Sequence, residues 1–262
     1  MVVKLGMLSR RAIVIAIVSL GLILVGSLVI AVATVDLRPW LERAASASLG
    51  RATHVGSLRI EWGRHIRVEA RDIRVANPAW AREPWFVQVG RLSAVVDLLS
   101  LLRGVVRYEK LRLNDVVIFL ERGVDSDATW KVGGQGAKSQ GGLALIPGNR
   151  SQFPTLLDFA VENGRIVYRN AKRNEIEIGI THGTIASATE NTPVRLVVDG
   201  TCNGLAARVT GSDMDSFQAL RDASKPYKGS VGLIAERMAL HFQGTFTEPL
   251  DFDGVQARWI ST

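Results

Sequence analysis

The side chains best suited to chemistry are four histidines and one cysteine, namely His54, His65, His182, His241 and Cys202. No two histidines have the i, i+4 spacing of an HExxH helix, and none pairs with cysteines at a zinc-binding spacing. A single cysteine can form neither an internal disulfide nor a cysteine-rich metal site. We therefore expect no metal and no cofactor, and we interpret Cys202 as a small apolar side chain in a strand.

Other catalytic motifs are incomplete. Residues 133–139 (GGQGAKS) resemble a phosphate-binding loop, but the glycine and lysine are not adjacent, and no strand pattern leads into them. No G-x-S-x-G motif is present. Asp125 and Asp127 lack the further ligand spacing of a calcium loop. We therefore expect no catalytic residues, and the interpretation is that the protein is not an enzyme.

An uncharged apolar segment begins at Ala12 and ends at Val35. At ~1.5 Å per residue a helix of this length spans the ~30 Å hydrocarbon core of a bilayer. Three basic residues precede the segment, Lys4, Arg10 and Arg11, and the positive-inside rule keeps such a terminus cytoplasmic. We predict a membrane anchor at roughly Ile13–Val35, within a first region of residues 1–35.

A cleavable signal peptide is the alternative, because Ala31-Val32-Ala33 resembles a cleavage site. The apolar core of a signal peptide runs about 7–15 residues, and this one is longer. We favour the uncleaved anchor. In either case residues 36–262 are exported.

The charge is unevenly distributed. Residues 36–122 carry 15 basic and 10 acidic side chains, whereas residues 123–262 carry 14 and 15. A basic excess beside a membrane suits anionic lipid head groups. These arginines are dispersed among acids rather than clustered, which argues against a nucleic-acid partner and is also compatible with an ordinary solvated strand face.

Helical patterns in the exported part are short. Residues 37–50 have a proline near their start and a glycine at their end, which predicts a helix. Residues 97–102 could form one or two helical turns, and Ser212–Ser224 is a further helix candidate.

Period-two alternation dominates the remainder and predicts strands with one apolar and one solvated face. Regular spacing of short apolar runs after residue 152 predicts a largely antiparallel region. The predicted fold is mainly β, an N-terminal transmembrane helix followed by an elongated, curled sheet with few short helices. Its regions are a membrane-proximal part, 36–122, a glycine-rich flexible linker, 123–152, and a continuing sheet, 153–262.

Asn-Asp and Asn-Gly pairs at Asn114-Asp115 and Asn163-Gly164 predict turns that end one strand and start the next. A chain of such hairpins would extend a single sheet.

The apolar face of the predicted sheet provides the candidate binding site. Six residues on it are expected to line a lipid-accessible groove, namely Ile66, Val68, Ile73, Val75, Ile176 and Ile178. The alternative is that they fill a closed sandwich or barrel core. Composition alone does not distinguish the two.

Several segments resemble the N-terminal region of the AsmA family of bacterial envelope proteins. The two most specific are residues 72–80 (DIRVANPAW) and residues 95–104 (VVDLLSLLRG). Three further segments also resemble the family. They are the anchor with its following helix, residues 117–122 (VIFLER), and the tail around Lys225-Pro226-Tyr227 and residues 244–250 (GTFTEPL). The chain departs from the usual family pattern at residues 125–130, and family members usually extend well beyond this length, so it resembles a truncated member or a fragment.

The resemblance implies an inner-membrane protein with a periplasmic body, similar to chorein-type proteins that carry phospholipid along an apolar β-groove. On this basis the expected partners are phospholipids, the inner membrane and other envelope proteins. The alternative function is a non-enzymatic assembly factor that influences outer-membrane protein insertion through protein contacts.

Overall fold

The computed structural model describes residues 36–102, 106–123, 128–130, 153–236, 238–248 and 253–261. The described residues from Arg38 onward belong to one compact unit. The predicted anchor, Ile13–Val35, and most of the predicted linker lie outside the described residues. Within the described part of the chain, no helix has the length and apolar character needed to span a bilayer.

Twelve strands and three short helices make up the described chain. The helices are α1 (Arg38–Leu49), α2 (Leu98–Leu102) and α3 (Phe217–Arg221). The strands are β1 (Thr53–Glu61), β2 (His65–Ala76), β3 (Trp85–Asp97), β4 (Arg107–Glu121), β5 (Thr155–Leu156), β6 (Asp158–Arg169), β7 (Glu175–Ala186), β8 (Pro193–Cys202), β9 (Leu205–Ser216), β10 (Tyr227–Ala235), β11 (Met238–Glu248) and β12 (Asp253–Ser261).

All twelve strands belong to one open sheet, in which neighbours along the chain are neighbours in space. The exception is the middle, where β4 pairs in parallel with β5 and then with β6. Arg107 of β4 pairs with Thr155, and Glu121 at the other end of β4 pairs with Arg169, so β4 and β6 run in the same direction. The prediction of a mainly β, curled, largely antiparallel sheet with few short helices is confirmed for the described residues.

The period-two pattern of the sequence sorts side chains onto two faces. In β2 the arginines at 67, 71 and 74 are exposed, while Ile66, Ala70 and Val75 are buried. Register partners in adjacent strands project to the same side. One row of partners therefore defines what we call the apolar face, running from β2 to β9 through Val75, Val87, Ile118, Ile166, Ile178, Cys202 and Leu205. The opposite side is called the polar face.

A second row crosses the sheet at positions where the order of inward and outward side chains along a strand reverses. Asp72, Asp115 and Asn163 all have positive φ, between 52° and 55°, in the middle of β2, β4 and β6. Gly56 and Gly90 face this row, since a Cβ added at them would lie 2.9 Å and 2.8 Å from the Cβ atoms of Asp72 and Asp115. Such bulges bend a strand and increase its twist. We infer that this row contributes to the curl of the sheet.

The turns predicted at Asn114-Asp115 and Asn163-Gly164 are therefore wrong. Both pairs lie within continuous strands, and the two strands run parallel to each other. Asp and Asn tolerate the left-handed conformation in a bulge as readily as in a hairpin turn, so the same residues suit both structures.

The helix predicted over residues 37–50 is confirmed as α1, and the turn predicted at 97–102 contains α2. The prediction over Ser212–Ser224 is correct only for α3, because residues 212–216 continue strand β9. Ser216 marks the change, since its Oγ accepts a hydrogen bond from the N–H of Ala219 and caps the helix.

Helix α1 covers the free edge of β1. Three of its side chains hydrogen-bond backbone groups of that strand at 2.7–2.9 Å. Glu42 accepts from the N–H of Val55, Ser46 accepts from the N–H of Thr53, and Arg38 donates to the carbonyl of Gly56. An exposed edge is a template for unwanted pairing, so this cover protects the first strand.

Candidate functional site: the apolar face of the sheet

All six predicted groove residues lie on the apolar face. Val75 and Ile178 lie on one row of register partners. Ile73 lies on a second row, which continues through Val89, Val116, Gly164 and Ile180. They are nevertheless in two separate regions. Four lie on β2 and two on β7, with three strands between them.

The region over β2, β3 and β4 is packed. Seven of its apolar side chains retain at most 9 % of their accessible surface. They are Ile66, Ala70, Val75, Val89, Ala94, Val96 and Val116. We call these residues the closed region, and two of the predicted groove residues, Ile66 and Val75, belong to it. Val68 and Ile73 are half-buried beside them.

The region at the start of β7, the end of β8 and the start of β9 is exposed. Ile176 and Ile178 keep 42 % and 39 % of their surface, Leu205 keeps 52 %, and Cys202 is exposed between them. We call these four residues the open strip. Met238 of β11, on the same face, is also exposed. Adjacent exposed aliphatic side chains on one face are typical of a binding surface.

Cys202, Leu205 and Met238 were not among the predicted site residues, although the sequence contained a signal for the first two. They flank Asn203-Gly204, whose positive φ values of 49° and 82° make a two-residue hairpin turn. Such a turn places its flanking residues directly opposite each other, and Cys202 and Leu205 are indeed register partners. Cys202 is thus in a strand as predicted, but it is exposed.

An aromatic pair stands where the two regions meet. The ring of Trp130 lies 6.0 Å from that of Tyr168, which is on the apolar face next to Ile176. The guanidinium of Arg122 lies 5.5 Å from the Trp130 ring centroid. Thr129 fixes this arrangement, since its fully buried hydroxyl accepts from the N–H of Glu121.

Helix α3 covers the apolar face at the other end of β8 and β9, away from the open strip. Phe217 and Leu220 form a buried cluster with Val194 and Tyr227, and Phe153 stacks on Phe217 at 6.4 Å. Arg221 anchors the helix through an ion pair with Glu190 at 2.9 Å. The cluster fills the apolar face at this end of β8 and β9.

Within this cluster, Tyr227 has a strongly raised pKa. Burial, with a smaller contribution from the charge of Asp215, raises the pKa of Tyr227 to about 12. Its hydroxyl donates to the backbone carbonyl of Asp215 at 2.7 Å. The proton is therefore held at any physiological pH, and the role of Tyr227 is structural.

The polar face is organised around Arg169, whose side chain is 10 % exposed. Its guanidinium contacts Glu175, Glu121 at 3.4 Å and Glu83 at 3.8 Å. Burial lowers the pKa of Arg169, but these carboxylates, with Glu175 first, raise it overall. This network ties β4, β6 and β7 to the loop after β2.

Three of the four histidines have structural partners. His54 lies 3.1 Å from Glu42, His65 lies 3.0 Å from Glu109, and His241 lies 3.0 Å from Ser230. Among the described residues, no group of three His, Cys, Asp or Glu side chains could hold a metal ion.

A surface cavity of about 620 Å³ lies along β8 and β9 beside Met214. Its lining mixes apolar residues with the charged side chains of Arg195, Asp213 and Asp215. Asp213 also has positive φ, so the cavity follows the bulge at which β9 changes register against β8.

Comparison with known proteins yields one family. The model of the AsmA family matches residues 2–188, which is more than half of the chain. No curated protein matches this chain.

Proposed function

Because the chain belongs to the AsmA family, whose membership suggests an envelope-related function, we propose that it binds or transfers phospholipid along the apolar face of its sheet. In this proposal residues 13–35 anchor the protein in the bacterial inner membrane with a cytoplasmic N-terminus. Residues 36–262 then form a periplasmic body, which acts without catalysis.

The observation that supports lipid binding is the open strip. Its aliphatic side chains stay exposed in an otherwise well-paired sheet, although covering them would gain roughly 25 cal/mol per Å² of apolar surface. An acyl chain is a ligand that gains this energy without needing a hydrogen-bonding partner. Ion pairs between Arg and Glu side chains, such as Arg165 with Glu177 at 2.8 Å, lie on the other face.

The proposal is tested by lipid analysis of the full-length chain purified in mild detergent. Mass spectrometry of the extracted lipids should show phospholipid bound to the wild-type protein. Ile178→Glu places a charge in the open strip and should lower the bound lipid strongly. Ala206→Glu is the matched control, because Ala206 is also exposed but lies on the polar face.

Equal lipid content in the two variants would contradict binding at the apolar face. Absence of phospholipid from the wild type, together with a stable protein partner, would instead favour an assembly factor that acts through protein contacts.

A further inference from the structure

The open strip together with Met238 has about the length of one acyl chain. From β7 to β11 there are four interstrand steps of ~4.8 Å, or about 19 Å. Half of a ~30 Å hydrocarbon core, the share of a single chain, is about 15 Å. Exposed apolar residues extend along this distance, from Ile176 through Leu205 to Met238.

Two basic side chains lie next to the β7 end of the strip. The turn between β6 and β7 carries Lys172 and Arg173, both exposed. In the described part of the chain, no carboxylate lies within ion-pair distance of either side chain. The nearby acids are already paired on the polar face, Glu175 with Arg169 and Glu177 with Arg165.

This turn is ordered by its own hydrogen bonds. Asn170 donates its N–H to the carbonyl of Asn174 at 3.0 Å, and its side chain accepts from the N–H of Asn174. Arg173 donates its N–H to the carbonyl of Asn170 at 2.9 Å. Positive charge is thus presented three to six residues before the exposed Ile176 and Ile178, which matches the order of phosphate and acyl chain in a phospholipid.

The closed region offers no equivalent place. Ile66 and Val75 are each 7 % exposed, and Trp130 with Tyr168 stands between them and the strip. An acyl chain on β2 or β3 would have to displace packed core residues, which destabilises the fold.

We infer that a phospholipid occupies only the second half of the apolar face, with an acyl chain on Ile176, Ile178 and Leu205 and its phosphate at Lys172 and Arg173. This inference rests on the proposed function and adds the position and orientation of the lipid to it.

The only cysteine of the chain provides the test, because Cys202 lies inside the strip. The rate of N-ethylmaleimide addition to the full-length protein is measured by intact mass in detergent micelles. One sample contains dioleoyl phosphatidylglycerol and the other contains no lipid. At a tenfold excess of lipid over its Kd, occupancy should slow the reaction about tenfold.

Two variants in a Cys202→Ser background locate the protection. Ala206→Cys places the thiol on the polar face, and Val87→Cys places it on the same row of register partners but over β3. Neither rate should respond to the lipid. Protection of Val87→Cys with an unchanged rate at Cys202 would overturn the inference and leave lipid binding itself intact.

A separate experiment tests the position of the head group. Replacing both cations, by Lys172→Gln with Arg173→Gln, should weaken phosphatidylglycerol protection about fivefold, the effect of two exposed charge contacts. Dioleoyl phosphatidylcholine is the comparison lipid, and its protection should change less. Unchanged phosphatidylglycerol protection would overturn the assignment of the phosphate to this turn. No protection at any position and no co-purified lipid would reject the proposed function as well.

Discussion

The two halves of the apolar face have the same sequence pattern but different exposure. In β2 and in β7 aliphatic residues alternate with charged ones, as in Ile66-Arg67-Val68 and Ile176-Glu177-Ile178. Ile66 is 7 % exposed, whereas Ile178 is 39 % exposed. Alternation therefore reports which face is apolar and carries no information on whether that face is covered.

The most direct test of this difference is a charge placed in each half. Ile66→Glu buries an unpaired carboxylate and should lower the free energy of unfolding by about 4 kcal/mol, a large part of the stability of a typical domain. Ile178→Glu leaves the carboxylate in water and should cost about 1 kcal/mol or less. Denaturant titration followed by circular dichroism measures both. Equal losses would show that the two halves are packed alike.

A smaller effect is expected where a glycine is replaced in each half. Gly90→Ala brings a Cβ to 2.8 Å from that of Asp115 and should cost about 1–3 kcal/mol, because both strands must shift. Gly183→Ala meets only ordinary contacts, at 3.5 Å from Ile180 and 3.6 Å from Val198. It should change stability by less than about 1 kcal/mol in either direction. A costly Gly183→Ala beside a neutral Gly90→Ala would contradict the described bulge row.

The smallest change in the free energy of unfolding at neutral pH is expected at Tyr227, which lies in the buried cluster with Phe217. Tyr227→Phe removes one buried hydrogen bond and should cost about 1 kcal/mol at pH 7. Since the folded-state pKa of about 12 exceeds the ordinary value of 10.0, the wild type should lose stability as the pH rises from about 10 to 12. The unfolded chain releases this proton first, which favours unfolding.

Tyr227→Phe should therefore show a shallower loss of stability across that pH window. Urea titrations at a series of pH values between 9 and 12 provide the comparison. Parallel curves for the two proteins would mean that Tyr227 titrates normally in the folded state.

Local sequence patterns predicted α1, the strands and the division into two faces, because each depends on residues close together in the chain. A period of two places alternate side chains on opposite sides of any strand, whatever the strand pairs with. Resemblance in residues 72–80 and 95–104 also led to the AsmA family, which the family model confirms over residues 2–188.

Other features could not be predicted from local patterns. Asp115 and Asn163 have the chemistry of turn residues, and only pairing with neighbouring strands makes them bulges. The parallel pairing of β4 with β6 joins residues 48 positions apart in the chain, such as Leu111 and Phe159, so no local pattern predicts it. Helix α3 starts later than its pattern suggested, because β9 stays paired with β8 as far as Ser216.

The sequence by itself determined that one face of a long sheet is apolar and that Ile66, Val75, Ile176 and Ile178 all lie on it. Only the tertiary structure decided that the first two are core residues and the last two belong to an exposed strip. The physical reason is that burial depends on contacts made by distant segments, such as Trp130 on Tyr168 and Phe217 on Phe153. A strand cannot encode in its own alternation which of its apolar residues another segment will cover.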